Sequence, residues 1–179
     1  MVTVRRAQPE DAAAIARVQV DTWRSTYRGI VPDSYLDGLS YQTSQENWER
    51  GVSDPEHRTT VFVADDESAG VVGFAACGAA RDTGWGFAGE LYAIYLNRNM
   101  QRKGMGRSMV LSVAQDLKSR GFDSMLVWVL EDNPYKRFYE SIGGRLLGAK
   151  EITMGGTRLR ESGFGWSSID SLISRLAAV

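Results

Sequence analysis

Apolar residues Met105, Met109, Val113 and Leu117 recur at four-residue intervals, with Val110 and Ala114 beside them. That spacing puts one apolar stripe on a helix. Lys118 and Arg120 suit its last turn, and Gly121 suits the position just past its end. The run MLVWVL at 125–130 is unbroken, as expected of a strand buried on both faces. Upstream, ELYAIYL at 90–96 reads as another strand. Strand, helix, strand over about 40 residues is a βαβ unit, so the two strands should run parallel.

The same rules order the rest of the chain. Residues 3–6 are a short strand. Pro9 opens a helix whose face is Ile15, Val18, Val20 and Trp23, until Gly29-Ile30-Val31-Pro32 breaks it. Residues 33–39 and 41–50 read as two shorter helices, with Ser40 capping the second. A polar loop at 53–58 carries His57, expected to be solvated. Strands at 60–64 and 71–76 form an antiparallel hairpin. A glycine-rich turn spans 81–89. Residues 134–142 are a helix capped by Asn133 and ended by Gly143-Gly144. Strands at 145–153 and 157–165 close a hairpin over Met154-Gly155-Gly156, and 168–178 reads as a terminal helix.

Composition narrows the function classes. The chain has 179 residues, 43% hydrophobic, with net charge −1. Residues 1–179 are expected to form a single domain. The near-neutral balance argues against nucleic-acid binding. No run reaches the roughly 18–20 apolar residues of a membrane span, and no signal-peptide core is expected at the start, so a cytoplasmic location is expected. One cysteine and one histidine make a zinc site of Cys/His type unexpected, and no metal is assigned. Cys77 reads as a small buried hydrophobe, since no histidine stands nearby to activate it.

Charge singles out the turn QRKGMGR at 101–107. Arg98, Arg102, Lys103 and Arg107 crowd the start of the 105–119 helix, where the dipole disfavours cations. An anion there would meet free backbone N–H groups. A Walker A loop is excluded because no Gly-Lys dipeptide occurs. The dinucleotide fingerprint fails because Met109 stands where its third glycine belongs. What remains is Gln101-x-x-Gly104-x-Gly106.

That pattern, between such a strand and helix, resembles the pyrophosphate loop of the GNAT superfamily of acetyl-CoA-dependent N-acetyltransferases. WVLEDNPYKRFYESIGG resembles the family's second conserved segment, and the two together cover 90–144. The resemblance implies an α/β fold of GNAT-like type. This is a mixed, mostly antiparallel sheet with a central parallel strand pair splayed around the cofactor and helices on both faces. It implies acetyl-CoA as cosubstrate, held by Gln101, Arg102, Lys103, Gly104, Met105, Gly106 and Arg107. Ile94 and Leu96 would pair with the pantetheine arm, and a backbone N–H near Tyr95 would meet the oxyanion. Asn133 would contact the pantetheine. Tyr139, a core aromatic by its stripe with Tyr135, Phe138 and Ile142, would by resemblance be the general acid to the CoA thiolate. Glu90 would be the general base, directly or through water.

By the same resemblance the acceptor would enter between residues 21–50 and the late hairpin at 155–165. Trp23, Tyr27 and Tyr35, with Asp21, Asp33 and Asp37, would suit a cationic amine; Arg24 and Arg28 could as well bind a carboxylate. A small-molecule primary amine is the expected partner, with a protein lysine or N-terminus as the alternative. A non-catalytic acyl-CoA-binding module and a different nucleotide-binding α/β protein also stay open. The closing hairpin offers edges that could pair in a homodimer.

Overall fold

The computed structural model describes residues 1–56 and 58–178; His57, expected in a solvated loop, lies outside the described residues. Its strands are β1 (Val2–Arg6), β2 (Thr59–Asp66), β3 (Gly70–Ala79), β4 (Gly89–Leu96), β5 (Met125–Leu130), β6 (Arg145–Met154) and β7 (Thr157–Trp166). They form one sheet in the order β1-β2-β3-β4-β5-β7-β6. Every neighbouring pair is antiparallel except β4–β5, which is parallel as the βαβ reading required. β2 and β3 run further than their apolar cores, because the backbone ladder continues through Asp65 and Asp66 to the turn at Gly70.

The helices are α1 (Ala12–Thr26), α2 (Asp33–Asp37), α3 (Tyr41–Val52), α4 (Met105–Ser119), α5 (Arg137–Ser141) and α6 (Ile169–Ala177). The stripe of α4 does what its spacing predicts. Met109, Val113 and Leu117 are fully buried and pack with α6 residues Leu172 and Leu176 over one face of the sheet. Each such side chain contributes about 1.5–3 kcal/mol by leaving water. The other face takes α1 and α3 through Ile15, Val18 and Trp48, packed with Val61 and Phe74. Ser40 caps α3 by accepting the Thr43 N–H.

Two local features shape the middle of the sheet. β4 and β5 pair at only three positions, from Gly89↔Met125 to Leu91↔Val127. Directly after the last pair, the β3–β4 register skips Tyr92: Cys77 faces Leu91 and Ala76 faces Ala93. Tyr92 is therefore a bulge residue on β4. A bulge bends its strand and sharpens the twist, so β4 leaves β5 where the bulge sits.

α5 is shorter than the expected 134–142. Asn133 Oδ1 accepts the Tyr135 N–H at 2.8 Å, so the expected capping role holds. The following bonds, Lys136 N–H to Asn133 O, Phe138 to Tyr135 and Tyr139 to Lys136, are i to i−3. The first turn is thus wound tighter than an α-helix. Gly143, at φ 89°, ends it, and the Gly144 N–H bonds back to the Tyr139 carbonyl.

Candidate functional site

The gap between β4 and β5 is a cleft of about 620 Å³. Ala93, Ile94, Tyr95 and Leu96 form one wall, and Val127, Trp128, Val129 and Leu130 the other. Gln101, Arg102, Gly104, Gly106, Arg107 and Arg137 line one end. Trp23, Tyr27, Met154 and Glu161 line it as well, from α1 and the β6–β7 hairpin. That size suits a small-molecule or cofactor site.

The basic turn is built by two left-handed residues, Arg102 at φ 59° and Gly104 at φ 82°. Gln101 fixes its base by donating from Nε2 to the Leu96 carbonyl at 3.0 Å. Gly104 is the N-cap of α4 and supplies no side-chain cap. The first intrahelical bond comes from Ser108, to the Gly104 carbonyl, so the N–H groups of Met105, Gly106 and Arg107 precede the ladder. Among the described residues, no carboxylate lies within salt-bridge distance of Arg98, Arg102, Lys103, Arg107 or Arg137; Arg107 instead donates to the Arg175 carbonyl at 3.1 Å. An unneutralised cationic group at a helix start suits an anion. Arg137, on the helix expected at 134–142, was not singled out from the sequence. Lys103 and Met105 are part of the turn but do not line the cleft.

Tyr139 projects from α5 and is 8% exposed. Its ring stacks on Phe164 with centroids 5.8 Å apart and meets Phe138 edge-on. Its hydroxyl has no hydrogen-bond partner among the described residues. It is also not among the buried side-chain atoms left unpaired, so it opens on the cleft that Tyr139 lines. Burial pushes the Tyr139 hydroxyl well above the ordinary tyrosine range, with a further push from Tyr27. The hydroxyl is therefore neutral at pH 7. Asn133 donates from Nδ2 to the Tyr27 hydroxyl at 3.0 Å, tying α1 to the start of α5.

Glu90, expected at the reacting centre, does not line the cleft. It is 1% exposed, and Arg81 takes its carboxylate three ways. Arg81 Nη2 and Nε donate to Oε1 at 2.5 and 3.1 Å, and the Arg81 backbone N–H donates to Oε2 at 2.9 Å. Glu90 faces a second cavity of about 370 Å³, lined also by Asp82, Lys150 and Glu161. Arg81, Trp128 and Glu161 are shared between that cavity and the cleft.

Glu161 is the carboxylate that lines the cleft, and the sequence reading missed it. It sits on β7 opposite Leu130 of β5 and Lys150 of β6. Lys150 Nζ lies 3.9 Å from its Oε2 and 4.0 Å from the Trp128 ring centroid. Burial pushes the Glu161 carboxyl above the usual 4.5, and Glu90 adds to this; Lys150 and Arg81 pull it the other way. A signal existed in the sequence. Counting back from a tight Gly155-Gly156 turn pairs residue 154 with 157, and so 150 with 161.

The early aromatics divide. Trp23 and Tyr27 line the cleft, edge to face at 4.9 Å, with Tyr95 6.4 Å from Trp23. The Trp23 indole N–H is a buried donor without a partner. Tyr35 packs instead against Gly155 at the hairpin turn. The early acids and arginines are engaged elsewhere. Tyr41 donates to Asp21, Arg28 pairs with Asp33 and Asp37, and Arg24 donates to the Leu36 and Leu39 carbonyls. Cys77 is fully buried, and burial pushes its thiol up to about 12, consistent with an inert core residue. No group of three or more metal-ligating side chains occurs among the described residues, and none of their helices is long and apolar enough to cross a membrane.

Residues 79–153 match the family model described as FR47-like protein. The chain is 42% identical over 172 residues, 96% of each protein, to a Bacillus subtilis (strain 168) protein named uncharacterized N-acetyltransferase YuaI. Its fold is similar to the PaiA N-acetyltransferase of Thermoplasma acidophilum in complex with coenzyme A. That match has a TM-score of 0.70 at 21% identity, over 90% of this chain and 98% of that one. It is also similar to YncA of Salmonella typhimurium with its cofactor acetyl-CoA, at TM-score 0.69 and 18% identity over 95% of each chain.

Proposed function

The chain belongs to the GNAT superfamily of N-acetyltransferases, and on that premise we propose that it moves the acetyl group of acetyl-CoA to a primary amine, with Tyr139 as proton donor. One observation carries this. Among the described residues, a single cleft runs from an unneutralised cationic helix start to the cleft-facing hydroxyl of the otherwise buried Tyr139, along strand edges that have stopped pairing with each other.

The residues present fit such a cosubstrate. Arg102, Arg107 and Arg137 would hold its phosphates together with the free N–H groups at the start of α4, the arginines through charge-assisted bonds. Lys103 would add charge from outside the cleft. The backbone of Ile94, Tyr95 and Leu96, unpaired towards β5, would hold the pantetheine arm, with Asn133 across from it. When bound, acetyl-CoA supplies an activated acyl carbon and a thiolate leaving group. A thiol titrates near 8.5, so a neutral tyrosine beside the departing sulfur can hand it a proton. A tyrosine, with an ordinary value near 10, is neutral at pH 7 and carries such a proton.

Glu90 fits a positioning role better than direct contact with the acceptor. Its oxygens already accept three hydrogen bonds from Arg81, which leaves little of the carboxylate to turn toward an acceptor. Clamped this way, Arg81 stays at the join of the two cavities. A route through water from Glu90 would have to cross the side cavity.

The reading is tested by incubating the protein with acetyl-CoA and a panel of primary amines while following free thiol. Tyr139→Phe should lower kcat by about 10²–10⁴-fold, the usual reach of general acid catalysis. Full activity in that variant would remove Tyr139 from the chemistry. Tight CoA binding with no amine acetylated would favour a non-catalytic binding module.

A further inference from the structure

We infer that Glu161 is the general base, and that it seats the ammonium of an acceptor with an apolar body and no carboxylate beside its amine. The inference rests on the acetyl-transfer reading above and names the substrate class of that same cleft.

Geometry carries it. Glu161 lines the cleft where the early aromatics and the late hairpin meet, and its side chain keeps 21% exposure. Among the described residues, the only cation within salt-bridge distance of it is Lys150, at 3.9 Å, a distance that leaves room for a second donor. The groups that face it come from neighbouring elements: Lys150 of β6, Trp128 of β5, Glu90 of β4, Arg81 and Asp82 from the loop after β3, and Tyr27 at the end of α1. Arg81 is committed to Glu90 by three hydrogen bonds. Lys150 lies over Trp128 in the side cavity. At this end of the cleft, therefore, no described cation is free to receive an acceptor carboxylate. A carboxylate next to the amine would instead meet the like charge of Glu161. The remaining lining, Trp23, Tyr27, Trp128, Leu130 and Met154, suits an aromatic or aliphatic body.

The proton count closes. Glu161 takes one proton from the acceptor ammonium. The freed lone pair forms the C–N bond as the thioester C–S bond breaks. Tyr139 gives its proton to the departing sulfur and regains one from the new amide nitrogen. Glu161 then releases its proton to water. A carboxyl shifted upward by burial is a better match to this task than an ordinary one, since an amine titrates near ~10.

The test pairs each amine with its carboxylated counterpart: phenethylamine with phenylalanine, tryptamine with tryptophan, cadaverine with lysine. Wild-type protein should turn over at least one decarboxylated amine with kcat/KM at least tenfold above its partner. Glu161→Gln should lower that value by about 10²-fold or more, flatten the acid limb of the pH profile, and leave the calorimetric affinity for acetyl-CoA within threefold. Glu161→Asp should recover part of the activity. Preference for the carboxylated amines, failure of every decarboxylated amine, or full activity in Glu161→Gln would overturn the inference. Absence of acetyl-CoA binding in wild type would instead overturn the reading beneath it.

Discussion

Reversing the charge of the basic turn, Arg102→Glu with Lys103→Glu, should move stability and cosubstrate affinity in opposite directions. Both side chains are exposed and stand at or before the N-terminus of α4, with no acidic residue in its first turn. Each cation there costs about 0.3–1 kcal/mol against the helix dipole, and an acid at the same place gains a similar amount. Two reversals should therefore stabilise the ligand-free protein by roughly 1–4 kcal/mol. At ~2–4 °C per kcal/mol for a chain of this size, Tm should rise by several degrees. Arg102 already holds φ 59°, and glutamate would carry a similar backbone strain, so the two roughly cancel. Binding goes the other way. The Arg102 charge-assisted contact to phosphate contributes about 1.5 kcal/mol, the low end for a group open to solvent, and Lys103, outside the cleft, adds about 0.5 kcal/mol. About 2 kcal/mol is roughly a 30-fold loss in acetyl-CoA affinity. Differential scanning calorimetry and titration calorimetry on one preparation read both. An unchanged affinity would mean that the anion sits elsewhere. A lower Tm would mean that the cations stabilise the turn themselves, which would refute the claim that the site is strained for a ligand.

Other consequences are independent of that one. Tyr139→Phe should leave stability at pH 7 within about 1 kcal/mol, because the hydroxyl has no partner to lose. Burial holds the hydroxyls of Tyr27, Tyr95 and Tyr139 above the ordinary 10. The unfolded chain ionises near pH 10 while the folded one stays neutral, so stability present below pH 10 should be lost as pH rises beyond it. Urea midpoints at pH 8 and 10.5 should show the drop, smaller in Tyr139→Phe; an equal drop would remove Tyr139 from the effect. Glu90→Gln should cost about 1–3 kcal/mol of stability by breaking the Arg81 clamp. Its loss of kcat/KM should be smaller than that of Glu161→Gln, and the reverse order would return the base to Glu90. Cys77 should stay unlabelled by a thiol reagent in the native protein and react after unfolding; fast native labelling would contradict its burial.

The frame of the site was legible because its elements have strong local signals. The α4 stripe, the apolar run of β5 and the glycine turns between β6 and β7 were each decided by neighbours in sequence, and parallel β4–β5 pairing followed from their order. The basic turn was legible because cations at a helix start contradict the dipole. What escaped reading was set by pairing between distant strands. Tyr92 becomes a bulge only through the β3 register, so the exact place where the strands part carries no local mark. Glu90 sits at the right distance from the turn, yet Arg81 folds back from a glycine-rich loop to claim it, which no pattern in that loop announces. Glu161 lies in the polar stretch TRLRES and reads as surface until β5 and β6 flank it. The early carboxylates looked like an acceptor site but are spent on Arg28 and Tyr41.

The most direct measurement is a calorimetric titration of the wild-type protein with acetyl-CoA, CoA and NAD in turn. The account predicts one-to-one binding of acetyl-CoA and CoA, weakened by salt as phosphate contacts require, and no heat from NAD. Binding of NAD with none of CoA would contradict it.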